Sequence, residues 1–176
     1  MDASILYAVQ QLTGNPLLDG FMAGLSWLGN NGMIWILATI VLLICPKTRN
    51  SGAACAIALL LSLLLCNLVL KNIVARLRPY DVLLWLHPLV PPLADFSFPS
   101  GHASASFAAA TAMALSGMGK KWIASAFALA ALISFSRLYT GMHYPTDVLG
   151  GIALGVLCGT LAWLATRRWL KRLSPP

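Results

Sequence analysis

The sequence predicts an all-α fold: a polytopic membrane bundle of about six helices with roughly five to six spans, the first helix being short or interfacial. Composition is the first reason. Of 176 residues, 59% are hydrophobic and 10% charged, with a mean hydropathy of +0.78, against about 25% charged in a soluble domain. Placement is the second, because the charges fall between apolar stretches near the roughly 20 residues that cross a bilayer. At 18.8 kDa the chain reads as a single domain over residues 1–176, which excludes receptor ectodomains, transporters with repeated halves and nucleotide-binding motors. Net charge is +7, but the position of the cations matters more than their sum, and nothing here asks for nucleic acid as a partner.

In chain order, Ile5, Leu6, Val9 and Leu12 share one face and predict a short interfacial helix over residues 4–12. Met1-Asp2 lacks a basic leader, so no cleaved signal is expected. Residues 20–46 carry no charge, but Gly29-Asn30-Asn31-Gly32 interrupts them with turn chemistry. Residues 16–28 therefore read as a short helix that crosses or half-enters, and 33–45 as a span. Further spans are expected over 51–70, 98–118, 122–136 and 148–166, the last followed by Arg167, Arg168, Lys171 and Arg172. Cys45, Cys55, Cys66 and Cys158 form no CxxC pair and read as small packing residues. Gly151, Gly155 and Gly159 recur every four residues, a pattern that lets helices approach closely.

Orientation follows from the basic residues, which short cytoplasmic loops retain. Alternating spans put Lys47, Arg49, Lys120, Lys121 and the basic end of the chain on one side, read as cytoplasmic. Lys71, Arg76, Arg78 and Arg137 fall on the other side with Asp81, Asp95 and Asp147. Four cations on the face that usually lacks them need a separate cause.

Three clusters collect on that face. In the first, Lys71 and Arg78 stand seven residues apart before Pro79, a spacing that puts both on one side of a helix, where two cations could grip one anion. Taken alone, the run also reads as a basic flank reaching lipid headgroups. In the second, Phe98-Pro99-Ser100-Gly101-His102 opens a span, where unpaired N–H groups suit a phosphate. An N-cap with a buried histidine is the alternative. In the third, Ser136-Arg137 is followed by His143 and, four residues on, by Asp147, spaced to accept the Nδ1 proton and leave Nε2 free as nucleophile or base. A structural histidine would fit the same spacing. The loop 80–96 is rich in Leu, Trp and Val interspersed with proline and is expected to lie on the membrane interface, with His87 as filler.

KxxxxxxRP, PSGH and SRxxxxxHxxxD, in this order over residues 71–147, resemble the three signature motifs of the type 2 phosphatidic acid phosphatases at every defining position. The resemblance implies a six-helix membrane core, from which a short first helix would depart. It implies His143 as nucleophile, Asp147 as its orienting partner and His102 as the acid for the leaving group. Phosphate would be held by Lys71, Arg78, Arg137, Ser100 and Gly101. The reaction implied is hydrolysis of a phosphate monoester or diphosphate on a membrane lipid through a phosphohistidine. No cofactor or metal is expected, since Asp147, the one acid within the motifs, is assigned to His143. Undecaprenyl diphosphate, at the outer face of a bacterial cytoplasmic membrane with the C-terminus inside, is the favoured substrate. Phosphatidylglycerophosphate is the main rival, and the resemblance also admits phosphatidic acid and lipid A phosphates. An intramembrane serine protease using Ser100 would not need three cations, and an anionic-lipid carrier would not need an oriented His-Asp pair.

Overall fold

In the computed structural model, residues 1–173 are described, with side chains through residue 169. Lys171 and Arg172 of the expected basic end lie outside the described side chains. The first helix, α1 (Asp2–Gln10), is short as expected, and α2 (Pro16–Leu28) starts where Asn15 accepts from the Leu17 and Leu18 N–H groups and Pro16 takes a position needing no donor. At the predicted turn the chain passes through a 3₁₀ segment (Asn30–Gly32) in which Asn31 (φ 53°) and Gly32 (φ 69°) are left-handed. Helix α3 (Met33–Ile44) therefore leaves at a 52° bend from α2.

Helix α4 (Arg49–Ser62) continues as a π-helical stretch (Leu63–Leu70) into α5 (Lys71–Val74). The single helix face expected to join Lys71 to Arg78 does not form. Ala75 turns left-handed (φ 48°) and ends α5, and Pro79 keeps Arg78 extended (ψ 155°) at the start of the one-turn α6 (Pro79–Val82). After a long loop come α7 (Gly101–Leu115), α8 (Lys120–Tyr139) and α9 (Pro145–Leu173).

By length and composition, Arg49–Val82, Lys120–Tyr139 and Pro145–Trp169 suffice to cross a membrane, and the bent α2–α3 pair raises the number to 4. The stretch 98–118 was expected to span. Ser100 caps α7 and Gly117 (φ 78°) follows its end, leaving 15 helical residues, about 22 Å of helix. It sits centrally in the bundle: Ala103, Ser104, Ser106 and Ala108 to Ala112 are all buried, and it packs against α4, α8 and α9.

Small residues make that packing close. A methyl group at Gly151 would stand 2.5 Å from Ser100 O and one at Gly159 2.6 Å from Ala108 O, while Gly155 faces Ser104 O in the same way. The glycine stripe thus brings the α9 backbone against that of α7. Hydroxyl bonds add to it inside the bundle, from Trp35 Nε1 to Ser106 Oγ (2.8 Å) and between Ser62 and Ser104 (2.7 Å). Cys55, Cys66 and Cys158 are buried in helices, and Cys45 is exposed.

Helices α1 and α2 pack against α8, α1 at its C-terminal end. Gln10 Nε2 donates to the carbonyls of Leu138 (3.0 Å) and Tyr139 (2.9 Å), and the Tyr139 hydroxyl donates to Asp19 Oδ1 (2.6 Å). This end holds the C-terminus of α5 and the N-termini of α7 and α9, and the three sequence clusters meet there. Lys47, Arg49, Lys120 and Lys121 occupy the turns at the opposite end.

Candidate active site

Lys71 and Arg78, both buried, are brought together by a third residue. The Asp95 carboxylate accepts from Lys71 Nζ through Oδ2 and from Arg78 Nη2 through Oδ1 at 2.6 Å. Arg78 is fixed further by bonds from Nε to Asp95 O (2.8 Å) and from Nη1 to Met142 O (2.9 Å). Burial alone would raise the Asp95 carboxyl, but the two cations outweigh it and hold the group down to about 2. Asp95 keeps 49% of its side chain exposed, so the bridge faces open space.

His143 lies in the turn between α8 and α9 and is 1% exposed. Its Nε2 is 3.4 Å from Arg78 Nη1, which always donates, so the network assigns an unprotonated Nε2 and a proton on Nδ1. Burial pushes this imidazole down to about 3, with Asp147 opposing and Arg137 and Arg78 reinforcing the shift. At neutral pH it is therefore uncharged.

The expected contact to Asp147 is less direct than the spacing suggests. Nδ1 is 3.7 Å from Asp147 Oδ2, too long for a hydrogen bond. Ser97 Oγ donates to that oxygen at 2.5 Å and stands 3.4 Å from Nδ1. The physical reason is local: Pro145 begins α9 two residues after His143, so only Asp147 is helical, and its Oδ2 also accepts the Tyr144 N–H (2.9 Å).

At the start of α7 the side chain of Ser100 is buried and faces the Ala103 N–H as an N-cap, and its own N–H donates to Asp147 O at 3.0 Å. The Ser100 N–H is thereby used within the protein, while its hydroxyl, which only accepts from Ala103 N–H, keeps a proton to donate. Ala103 and Ser104 N–H groups are directed to Ser100, which leaves those of Gly101 and His102 as the first-turn donors without a partner among the described residues. His102 Nε2 lies 3.1 Å from both Ser26 O and Asn30 Oδ1, acceptors that place its proton on Nε2.

Arg137, 1% exposed at the end of α8, bonds Ser26 Oγ through Nη1, while its Nε and Nη2 find no partner among the described residues. Buried unpaired guanidinium donors are costly unless an anion meets them. A cavity of about 830 Å³ is lined at one end by Lys71, Arg78, Asp95, Gly101, His102 and His143. Its remaining wall includes Ile36, Leu59, Leu60 and Leu63 from α3, α4 and the π-helical stretch. The exposed, partly apolar loop 80–96 supplies Leu93 and Ala94 to the wall, and exposed His87 is not among the lining residues. Among the described residues no group of acids, histidines and cysteines is arranged to hold a metal ion.

The structure brings Lys71, Arg78, Gly101, His102 and His143 to one end of the cavity, sets Asp147 behind His143, seats Arg137 beside Ser26, and uses Ser100 as the N-cap of α7. Sequence reasoning missed Asp95, Ser97, Arg76, Ser26 and Asn67. Two signals could have found some of them. The chain has only five acidic residues, so Asp95 on the cation-rich face asked for a partner. Asn67 is the one amide in the apolar run 51–70; it sits on the π-helical stretch, lines the cavity and reaches within 3.0 Å of where a Gly101 methyl would be.

Comparison with known proteins agrees with the motifs. A family model described as PAP2 superfamily matches residues 52–171. An undecaprenyl-diphosphatase of Sulfolobus acidocaldarius is 36% identical over 138 residues, which are 78% of this chain and 66% of that one. The chain thus spans about two thirds of that relative's length. A crystal structure of Aquifex aeolicus LpxE superposes with a TM-score of 0.80 at 29% identity, covering 92% of this chain and 93% of the other. A PAP2-type phosphatidylglycerolphosphate phosphatase from Bacillus subtilis gives 0.72 at 30% identity, covering 98% and 86%.

Proposed function

The chain belongs to the PAP2 superfamily, and from that premise we propose that it is a membrane phosphatase that hydrolyses a phosphate monoester or diphosphate on a lipid through a phosphohistidine. One observation carries the reading. An 830 Å³ cavity has His143, Lys71, Arg78, Gly101 and His102 at one end and Ile36, Leu59, Leu60 and Leu63 along its wall. A phosphorylated headgroup and the first part of its apolar tail have that same division.

In the proposed mechanism the terminal phosphate replaces the Asp95 carboxylate between Lys71 and Arg78 and takes the unpaired donors of Arg137, Gly101 and His102. Nε2 of neutral His143 attacks phosphorus in line; the N–P bond forms, the P–O bond to the lipid breaks, and the leaving oxygen takes a proton from Nδ1 of His102, an imidazole that burial and Arg137 keep neutral until the phosphate charge beside it draws that proton on. Asp147, through Ser97, holds the Nδ1 proton as the imidazole becomes cationic. In the second step His102 removes a proton from water, whose oxygen displaces the N–P bond and releases phosphate. The three cations and the N-terminus of α7 supply the charge stabilisation that a metal would otherwise give.

Undecaprenyl diphosphate is the foremost substrate of this reading, supported by the name of the Sulfolobus relative. Phosphatidylglycerophosphate is a second, supported by the name of the Bacillus protein with which this chain shares nearly its full length. We place the protein in a bacterial cytoplasmic membrane with the site outward and the C-terminus inside, on the retention of Lys47, Arg49, Lys120 and Lys121 at the far end. The test is phosphate release by purified protein from undecaprenyl diphosphate, phosphatidylglycerophosphate and phosphatidic acid, with His143→Ala as control. Loss of release with His143→Ala, at least about 1000-fold, is expected, and the order of rates ranks the substrates. Turnover by His143→Ala near the parent rate would overturn the covalent scheme.

A further inference from the structure

Arg76 was the one cation of the outer face without a task in the sequence, and it stands behind His143 rather than beside the phosphate. Its Nη1 donates to Asp147 Oδ1 at 2.6 Å and to Thr146 Oγ1 at 2.7 Å, and its Nη2 donates to Asp2 Oδ2 at 2.8 Å. The guanidinium lies over the Tyr144 ring, 3.9 Å from its centroid. The Arg76 backbone takes part as well, its carbonyl accepting the Ser97 N–H at 2.8 Å. One residue therefore holds both members of the link to the nucleophile: the carboxylate through its side chain, and the serine through its main chain.

The need for such a residue follows from burial. Asp147 has a fully buried side chain, and an ionised carboxylate in that setting requires a hydrogen-bonded cation. Neutral His143 does not supply one before the reaction, and Arg76 is the cation in contact. By occupying Oδ1, Arg76 also fixes the rotation of the carboxylate and turns Oδ2 toward Ser97 and His143. Asp2 of α1, bonded to both Arg76 and Thr146, holds the guanidinium from its far side.

From this geometry we infer that Arg76 is a positioning residue for the phosphoryl-transfer step, keeping Asp147 ionised and aimed at Ser97 and His143, with α1 as its outer brace. The inference rests on the phosphatase reading above. It makes Arg76 a determinant of kcat and not of substrate affinity, because none of its donors faces the cavity. Lysine at this position would restore the charge but not the fork that reaches both carboxylates.

The experiment uses the full chain purified in detergent, with undecaprenyl diphosphate and phosphatidic acid as probes. Steady-state constants and single-turnover formation of the phosphoenzyme are measured for Arg76→Gln, Arg76→Lys, Asp2→Asn and His143→Ala. Arg76→Gln should lower kcat and the phosphoenzyme rate by about 10- to 100-fold, the cost typical of removing a partner that orients a reacting group, with KM unchanged within about threefold. Arg76→Lys should recover at least part of that loss, and Asp2→Asn should cost less than Arg76→Gln. Parent-like kcat in Arg76→Gln while His143→Ala is inactive would overturn the inference and leave the phosphatase reading intact. A loss confined to KM would do the same, as would an Asp2→Asn loss equal to that of Arg76→Gln, which would reduce Arg76 to an anchor for α1. Should Arg76→Gln not fold, the kcat of Arg76→Lys relative to Asp2→Asn decides: a lysine variant at least as active as the parent overturns the positioning role, and one slower than Asp2→Asn supports it. An active His143→Ala would instead break the reading on which the inference stands.

Discussion

Behind His143 both Asp147 oxygens are occupied, Oδ1 by Arg76 and Oδ2 by Ser97 and the Tyr144 N–H, and the carboxylate is closed to solvent. Elsewhere around it Arg137 leaves two nitrogens without a partner among the described residues, and Asp95, half exposed, is the anion that Lys71 and Arg78 share. A saturated buried network resists change, since moving any member strands another. An unsaturated one gains when an anion arrives. The difference teaches which charges belong to the protein and which are held for a ligand: the rear aims the nucleophile, and the front exchanges one anion for another.

The largest break in this comparison comes from the front. Arg137→Ala removes donors that only the reacting phosphate would meet, and kcat/KM should fall about 100- to 1000-fold. Steady-state phosphate release measures it, and a loss below tenfold would move Arg137 out of the phosphate site. Asp95→Asn should act the other way on binding. With the resident charge gone, inorganic phosphate should inhibit more tightly, by about threefold to tenfold, the net worth of one ordinary hydrogen bond. Unchanged inhibition would mean that Asp95 and phosphate do not compete.

The smallest effect is on stability against pH. The folded His143 value lies near 3 against an ordinary 6.5. As pH falls below 6.5 the unfolded chain therefore takes up a proton that the folded chain refuses. Stability from this group is complete above 6.5 and is lost progressively down to about 3. Asp95, ordinarily 3.8 and held near 2, adds stability that is present above 3.8 and lost as pH falls through 2. Thermal unfolding in detergent from pH 7 to 4 should show a decline, and His143→Gln should make it shallower.

The helical membrane character and the motif residues were legible because charge is scarce in this chain. With 12 cations and five acids among 176 residues, those outside the basic turns stand out, and local spacing reports helix starts and loops. Partners across the fold were not legible. Arg76 and Asp147 are separated by 71 residues and Arg137 and Ser26 by 111, and no periodicity connects such pairs. The seven-residue spacing of Lys71 and Arg78 misled in a specific way. Ala75 ends the helix three residues before Arg78, Pro79 keeps Arg78 extended, and Asp95 does the joining instead. Ser97 escaped notice because a serine one residue before Phe98 and Pro99 has no chemistry of its own until His143 and Asp147 are set on either side of it.

The glycine stripe of α9 has a mechanical consequence. Gly151, Gly155 and Gly159 press α9 onto α7 backbone to backbone, and the Ser100 N–H to Asp147 O bond ties the two helix starts. His102 and Asp147 thus ride on a single stiff beam, and any motion that parted those helices would pull the reacting groups out of register. The facing wall of the cavity is built differently, from the 52° elbow between α2 and α3 and the π-helical turns of residues 63–70, neither of which is clamped to a neighbour by such a stripe.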